Sequence, residues 1–527
     1  MKKCCCLLLA LVLTLCLPLA GPGVKAEAET KEEPVRGGTL VVREYGDPMS
    51  FCPDLAADDN GYAMFQNMYN RLTKLDASKK AIPDAAKSWD ITDEGKTITF
   101  HLRDDIHWWD GKSLTADDVK YTFDYIKGHD TCYFSSDMDI VDEIEVVDPQ
   151  TVVFHMNKAD VSFVSRIGWY ATFILPKHIY DNGQEWGDNE ATKTTPMGSG
   201  PFKLEKYEQG KSMTLLANPD YHEGAPYLDK LIFQIVVDDT TAIQALINGE
   251  LDHVTMVPAA YFDQLNNDPG FRLDRNFYPS PWRYIFNLEK EPVKDLAVRK
   301  AIAYCIDRND MSQKVTKGIM PPEWTAYPEM MEWCVNKEAK YPDVDIDAAI
   351  KILEDAGYKK DKDGYYVRGV KLDCFEGDLV DMSRLLVANA KKAGIEIELV
   401  VSEFNAWATK VVRHGDWIME AQGGFMGPDP AALFTRLGST SNDNYASWEN
   451  AKFDELCEKG AAESDTEKRA EYYKEAQQLI IDELPAINVL GFAAYEVADS
   501  RLRNLPIDGT DKWGWNEYTF TYFAEKP

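Results

Sequence analysis

The run Ala85-Ala86-Lys87-Ser88-Trp89-Asp90-Ile91-Thr92-Asp93-Glu94-Gly95-Lys96-Thr97-Ile98-Thr99-Phe100-His101-Leu102-Arg103 is followed by Trp108-Trp109-Asp110-Gly111 and Thr115-Ala116-Asp117-Asp118-Val119. It sets a turn, a strand, a second turn and a capped helix in a fixed order. Ile98, Phe100 and Leu102 alternate with Thr97, Thr99 and His101, the period-two pattern of a strand with one buried face. Asp93-Glu94-Gly95 and Asp110-Gly111 supply the turns. Thr115 can accept a hydrogen bond from the free N–H groups of the next turn, while Asp117 and Asp118 place negative charge at the positive end of the helix. Val119, Phe123 and Ile126 then share one face.

A chain of 527 residues has room for two or three domains with sizeable cores. At its start, Lys2 and Lys3 precede an apolar run from Leu7 to Leu19, and Val24-Lys25-Ala26 offers small residues for cleavage. Residues 1–26 read as a secretory signal peptide. No other apolar run approaches the roughly 20 residues that span a bilayer. Lipid attachment needs a cysteine just after small residues, and Cys16 follows Leu15, so lipoprotein anchoring is disfavoured. Loss of Lys2, Lys3 and Lys25 takes the net charge from −31 to −34. Such acidity argues against nucleic acid and anionic membrane surfaces as partners. Four of the ten cysteines lie in the leader; the other six (Cys52, Cys132, Cys305, Cys334, Cys374, Cys457) allow fifteen full pairings, and none has zinc-site spacing.

From Gly37-Gly38-Thr39-Leu40 onward short strands and helices alternate, which makes the class mixed α/β. Thr195-Pro196-Met197-Gly198-Ser199-Gly200-Pro201 is glycine-rich. A phosphate-binding loop would need a helix N-terminus after it, but the alternating strand Phe202 to Tyr207 follows. Asn218-Pro219-Asp220-Tyr221 precedes Leu228-Asp229-Lys230-Leu231. A helix headed by Asp239 runs into Asn248-Gly249-Glu250-Leu251-Asp252, with Gly249 suited to a left-handed cap. Asn287, Asp295 and Val298 to Arg308, then Ala348 to Leu353 with Ala356-Gly357-Tyr358, then Gly427-Pro428-Asp429-Pro430 and a late helix Arg469 to Asp482 closed by Pro485 complete the series.

In this order, over about residues 37 to 500, these landmarks resemble the peptide-type (family 5) extracellular solute-binding proteins of ABC importers, which include dipeptide-, oligopeptide- and nickel-binding proteins. The resemblance implies a class II periplasmic-binding-protein fold: two lobes joined by a two-strand hinge, with an extra domain in the first lobe. The first lobe would comprise 36–66, 195–283 and 492–527, the extra domain 67–194 and the second lobe 284–491. A small ligand, foremost a di- or oligopeptide, would bind between the lobes and pass to permease and ATPase subunits in the membrane. The resemblance further implies a monomer at the outer face of the cytoplasmic membrane or in the periplasm, with no cofactor.

Aligned by motif, the first lobe reaches the cleft at Asp58, Asp59 and Asn60 and at Thr255 and Met256. Trp282 and Arg283 lie near the hinge. The second lobe offers Trp407, Arg413, Phe425, Met426 and Asp429. Met426 falls where peptide-binding relatives hold the ligand ammonium with an aspartate, and a thioether cannot neutralise an ammonium. Either the ligand presents no ammonium there, or Asp429, Asp58 or Asp59 takes the task. Ala431 stands where nickel-binding relatives carry a histidine, and the eight histidines show no pair at ligand spacing, so no metal is expected. A sugar or opine receptor on the same fold is the alternative, with Trp282 and Trp407 as stacking platforms. A secreted hydrolase is remote, because neither Gly-x-Ser-x-Gly nor His-Glu-x-x-His occurs.

Overall fold

The computed structural model describes residues 34–524 apart from 56–60, 77–78, 133, 170–171, 412–414, 425, 442 and 506–516. The leader at 1–26 falls outside the described residues.

Thr97–Leu102 is a strand with Ile98, Phe100 and Leu102 fully buried, as the alternation predicts. The residues before it, Ala86–Thr92, form a strand that pairs with it antiparallel across the Asp93–Gly95 turn. That strand is the edge of a four-stranded antiparallel sheet completed by Thr151–Met156 and Val141–Asp148. Thr115 caps the helix Ala116–Gly128 in a capping box closed by Asp118, whose second oxygen accepts the Lys177 N–H at 2.9 Å. Val119, Phe123 and Ile126 are buried, with the Phe123 ring edge-on to Phe154 at 5.3 Å.

A seven-stranded sheet forms the first lobe. In spatial order its strands are Phe271–Phe277, Ala493–Asp499, His253–Val254, Thr39–Glu44, Lys230–Ile235, Ser212–Ala217 and Phe202–Glu208. One continuous core of buried side chains joins this sheet to the four-stranded one. The glycine-rich step explains part of that junction: a Cβ on Gly198 would lie 2.0 Å from the Met68 carbonyl oxygen, and one on Gly200 would lie 2.6 Å from the Met68 carbonyl carbon. Two backbones meet there, with Gly200 N–H donating to Met68 at 2.9 Å.

The second lobe has its own core and a five-stranded sheet ordered Ile395–Ser402, Val367–Phe375, Met419–Gly423, Trp282–Phe286, Ala486–Leu490. The lobes are joined by a ribbon. Phe271–Phe277 pairs with Ala493–Asp499 in the first sheet, and Trp282–Phe286 pairs with Ala486–Leu490 in the second. Between them the two crossings at 278–281 and 491–492 stay bonded, Tyr278 N–H to the Phe492 carbonyl at 2.9 Å. Two adjacent crossing segments make a hinge in which a few torsions absorb a rigid-body movement. The six cysteines of the folded part are free and buried, without a disulfide among the described residues.

Candidate ligand cleft between the lobes

Met419–Gly423 brings polar side chains into the second lobe. Its pairing with Trp282–Phe286 sets Arg283 opposite Gln422 and Ile285 opposite Glu420, and its pairing with Val367–Phe375 sets Asp373 opposite Glu420. Because side chains alternate across a strand, Arg283, Gln422, Glu420 and Asp373 line one face. Arg283 is 4 % exposed, Gln422 7 % and Glu420 0 %.

Their partners are few. Arg283 Nη1 rests on the Met426 thioether at 2.7 Å. Arg283 Nε, Gln422 Nε2 and both Glu420 oxygens have no hydrogen-bond partner among the described residues. Burial lowers Arg283 to about 10, with Arg436 adding repulsion and Glu420 opposing it. Burial likewise pushes the Glu420 carboxyl well above the usual carboxylate range, against the pull of Arg283.

Two glycines make room for this arrangement. A Cβ on Gly423 would meet Trp282 Cδ1 at 2.9 Å, and one on Gly424 would meet Arg283 Nη2 at 2.4 Å. Met426 is 2 % exposed, its N–H bonded to the Pro279 carbonyl in the hinge crossing at 2.7 Å. A small cavity of about 20 Å³, room for one small polar group, is walled by Arg283, Gln422, Met426, Arg436 and Asp443 among others.

Arg436 and Asp443 also line a larger cleft of about 780 Å³, so the two spaces adjoin. Its other wall comes from the inserted domain: Phe134, Asp137, Lys158, Asp160, Arg166 and Trp169. Arg166 is held by Asp137 and by Asp160, the latter at 2.7 Å. The inserted domain also touches the second lobe directly, Val161 N–H donating to the Ala461 carbonyl at 2.8 Å. The resemblance named no ligand contact in this domain.

The remaining expected site residues are dispersed. Asp429 lines the large cleft, but Arg469 takes both its oxygens at 2.6 and 2.7 Å. It is committed to an internal ion pair. Trp282 is half-buried at the start of its strand. Trp407 is 4 % exposed and packs against Phe375 and Phe404, ring centroids 4.9 and 5.8 Å away. In the first lobe the Thr255 carbonyl accepts the Tyr45 hydroxyl at 2.9 Å, and Met256, at φ 54°, is 36 % exposed. Asp58, Asp59, Asn60, Arg413 and Phe425 lie outside the described residues.

The family model of bacterial extracellular solute-binding proteins, family 5 Middle, matches residues 80–445, more than two thirds of the chain. The chain belongs to this family. Among relatives of this solute-binding protein, the dipeptide-binding protein of Escherichia coli is 25 % identical over 522 residues, covering 93 % of this chain and 96 % of the relative. The oligopeptide-binding protein OppA of Bacillus subtilis is 26 % identical over 544 residues, covering 95 % and 96 %. The solved structure of the ABC transporter substrate-binding protein CtaP from Listeria monocytogenes superposes with a TM-score of 0.80 at 25 % identity, covering 93 % of this chain and all of that one. These likenesses agree with the two-lobed architecture described above.

Proposed function

We propose that this solute-binding protein is an exported receptor that captures a di- or oligopeptide between its lobes and delivers it to the permease and ATPase subunits of an ABC importer. It acts as a monomer and by binding alone, without catalysis, at the outer face of the cytoplasmic membrane or in the periplasm. The observation that carries this reading is the hinged pair of lobes around a cleft of about 780 Å³, a size that encloses a small peptide. The peptide-binding names of its relatives support the ligand class. Within the lobes, we place the division at the crossings 278–281 and 491–492, with 67–194 as the inserted domain.

Of the expected ligand contacts, Arg283 and Met426 stand together in the small cavity that adjoins the cleft, with Trp282 next to Arg283 on the hinge strand; Thr255 and Met256 belong to the first lobe. Closure follows binding only if the ligand gains more contacts in the closed state than in the open one. The apolar Met426 favours one second reading, a sugar or opine that presents no ammonium at that point. A thermal-shift screen of peptides, oligosaccharides and amino-acid conjugates separates the two, since a ligand at a hundred times its Kd adds about 2.7 kcal/mol of stability. Peptides that raise Tm support the peptide reading. Oligosaccharides or conjugates that raise it while peptides of every length leave it unmoved refute it.

A further inference from the structure

The charges around the small cavity do not balance within the protein. Arg436 is paired with Asp443 at 3.3 Å, and Asp373 with Lys410 at 2.5 Å. Glu420, at 0 % exposure, receives no hydrogen bond from any described residue, and burial favours its neutral acid form. Arg283 makes no ion pair with a carboxylate among the described residues and rests only on a thioether, which is a weak acceptor. A buried guanidinium in this condition is costly unless something anionic meets it.

Two buried donors without a partner among the described residues face the space. Arg283 offers Nε and, once the thioether is displaced, Nη1; Gln422 offers Nε2; both line the cavity. These groups match the two oxygens of a carboxylate, whereas an ammonium would meet a guanidinium and no free anion. Met426 lines the cavity with its thioether against Arg283 Nη1, and its three rotatable bonds let the thioether swing aside. Arg436, shared by both spaces, marks the route from the large cleft.

We infer that the cavity behind Met426 is a carboxylate pocket, in which Arg283 and Gln422 bind the anionic end of the ligand. This rests on the peptide reading for the ligand's identity but not for its charge. In consequence the peptide enters with its carboxylate, not its ammonium, toward the hinge end of the second lobe. Gly424 and Met426 become selectivity elements, one leaving room for the guanidinium and the other covering it.

The test uses the full chain, calorimetric titration and thermal shift, with trialanine, N-acetyl-trialanine, trialanine amide and acetate as probes. N-acetylation should change the trialanine affinity by less than about threefold. Amidation should weaken it about 10- to 100-fold, the worth of a hydrogen bond to a charged group. Arg283→Met, which removes a buried charge, should fold with an unchanged or higher Tm and bind the acid and the amide alike; Gln422→Leu should show the same levelling in part. If amidation is harmless and acetylation abolishes binding, the pocket is overturned. If no tripeptide derivative binds while acetate raises Tm in the wild type and not in Arg283→Met, the carboxylate pocket stands and the peptide reading falls. If acetate and the tripeptides all leave both proteins unmoved, the carboxylate pocket is refuted.

Discussion

Arg469 holds Asp429 with two nearly parallel hydrogen bonds of 2.6 and 2.7 Å, and both side chains are almost wholly buried. Their separation of forty residues joins the loop at the end of the cleft to the helix Thr466–Glu483. Asp429 Oδ1 also accepts the Ala431 N–H at 2.9 Å, which fixes the turn that leads into the helix Ala432–Leu437. The pair positions the loop and leaves Asp429 no oxygen free for a ligand ammonium.

Breaking this pair from one side strands a buried charge. Asp429→Leu or Arg469→Met should each lower stability by about 3–5 kcal/mol, while the two changes together recover much of the loss. Urea unfolding of the four proteins measures the coupling. Equal losses in the single and double variants would contradict the assigned role.

Stability should fall as pH rises between 6.5 and 8. Burial raises Asp54 to about 8, although its Oδ1 accepts the N–H groups of Thr172 and Phe173 at 2.5 and 3.0 Å, and burial raises Glu323 to about 8 as well. In this window the native state keeps protons that the unfolded chain has lost, so unfolding becomes easier at the alkaline end, by roughly 1 kcal/mol per pH unit for each such group. His222, lowered to about 4 by burial, acts in the opposite sense but only below about 6.5, its unfolded value. Asp54→Asn should therefore flatten the slope from 6.5 to 8 in chemical denaturation curves. An unchanged slope would show that Asp54 titrates normally.

The glycines of the re-entry step should not tolerate a methyl group. Gly198→Ala or Gly200→Ala forces the Met68 backbone away, an overpacking that costs about 1–3 kcal/mol or more. Gly128→Ala, with nothing within 4 Å of its Cβ and, like Gly198 and Gly200, no positive φ, is the control. Tm shifts of the three variants decide it, and equal shifts would contradict the close approach.

Trp407 tests packing against ligand contact. Its ring sits among Phe375 and Phe404, so Trp407→Ala should cost about 3–5 kcal/mol, whereas Trp407→Phe keeps most of the packing. With Trp407→Phe, peptide affinity by titration calorimetry should stay within threefold of wild type. A much larger loss at preserved Tm would make Trp407 a ligand platform.

The order of local patterns made the fold legible. Ile98, Phe100 and Leu102 alternate cleanly because only one face of their strand is buried. Ala86–Thr92 escaped notice as a strand because, at the sheet edge, most of its side chains meet solvent and no alternation develops. The site was harder to read. Glu420 and Gln422, polar at alternate positions, look like a solvated strand face, yet the lobe buries both. The contributions of Asp160 and Arg166 depend on how the inserted domain meets the second lobe at Ala461, a contact three hundred residues apart that no local pattern encodes. Asp429 was identifiable by its motif, but its partner Arg469 was not.

Native mass spectrometry of the exported chain tests the central claim most directly. One small ligand per chain is expected, released on denaturation and sequenced by fragmentation as a peptide of a few residues. A sugar, opine or other non-peptide solute retained at the same one-to-one ratio would contradict it.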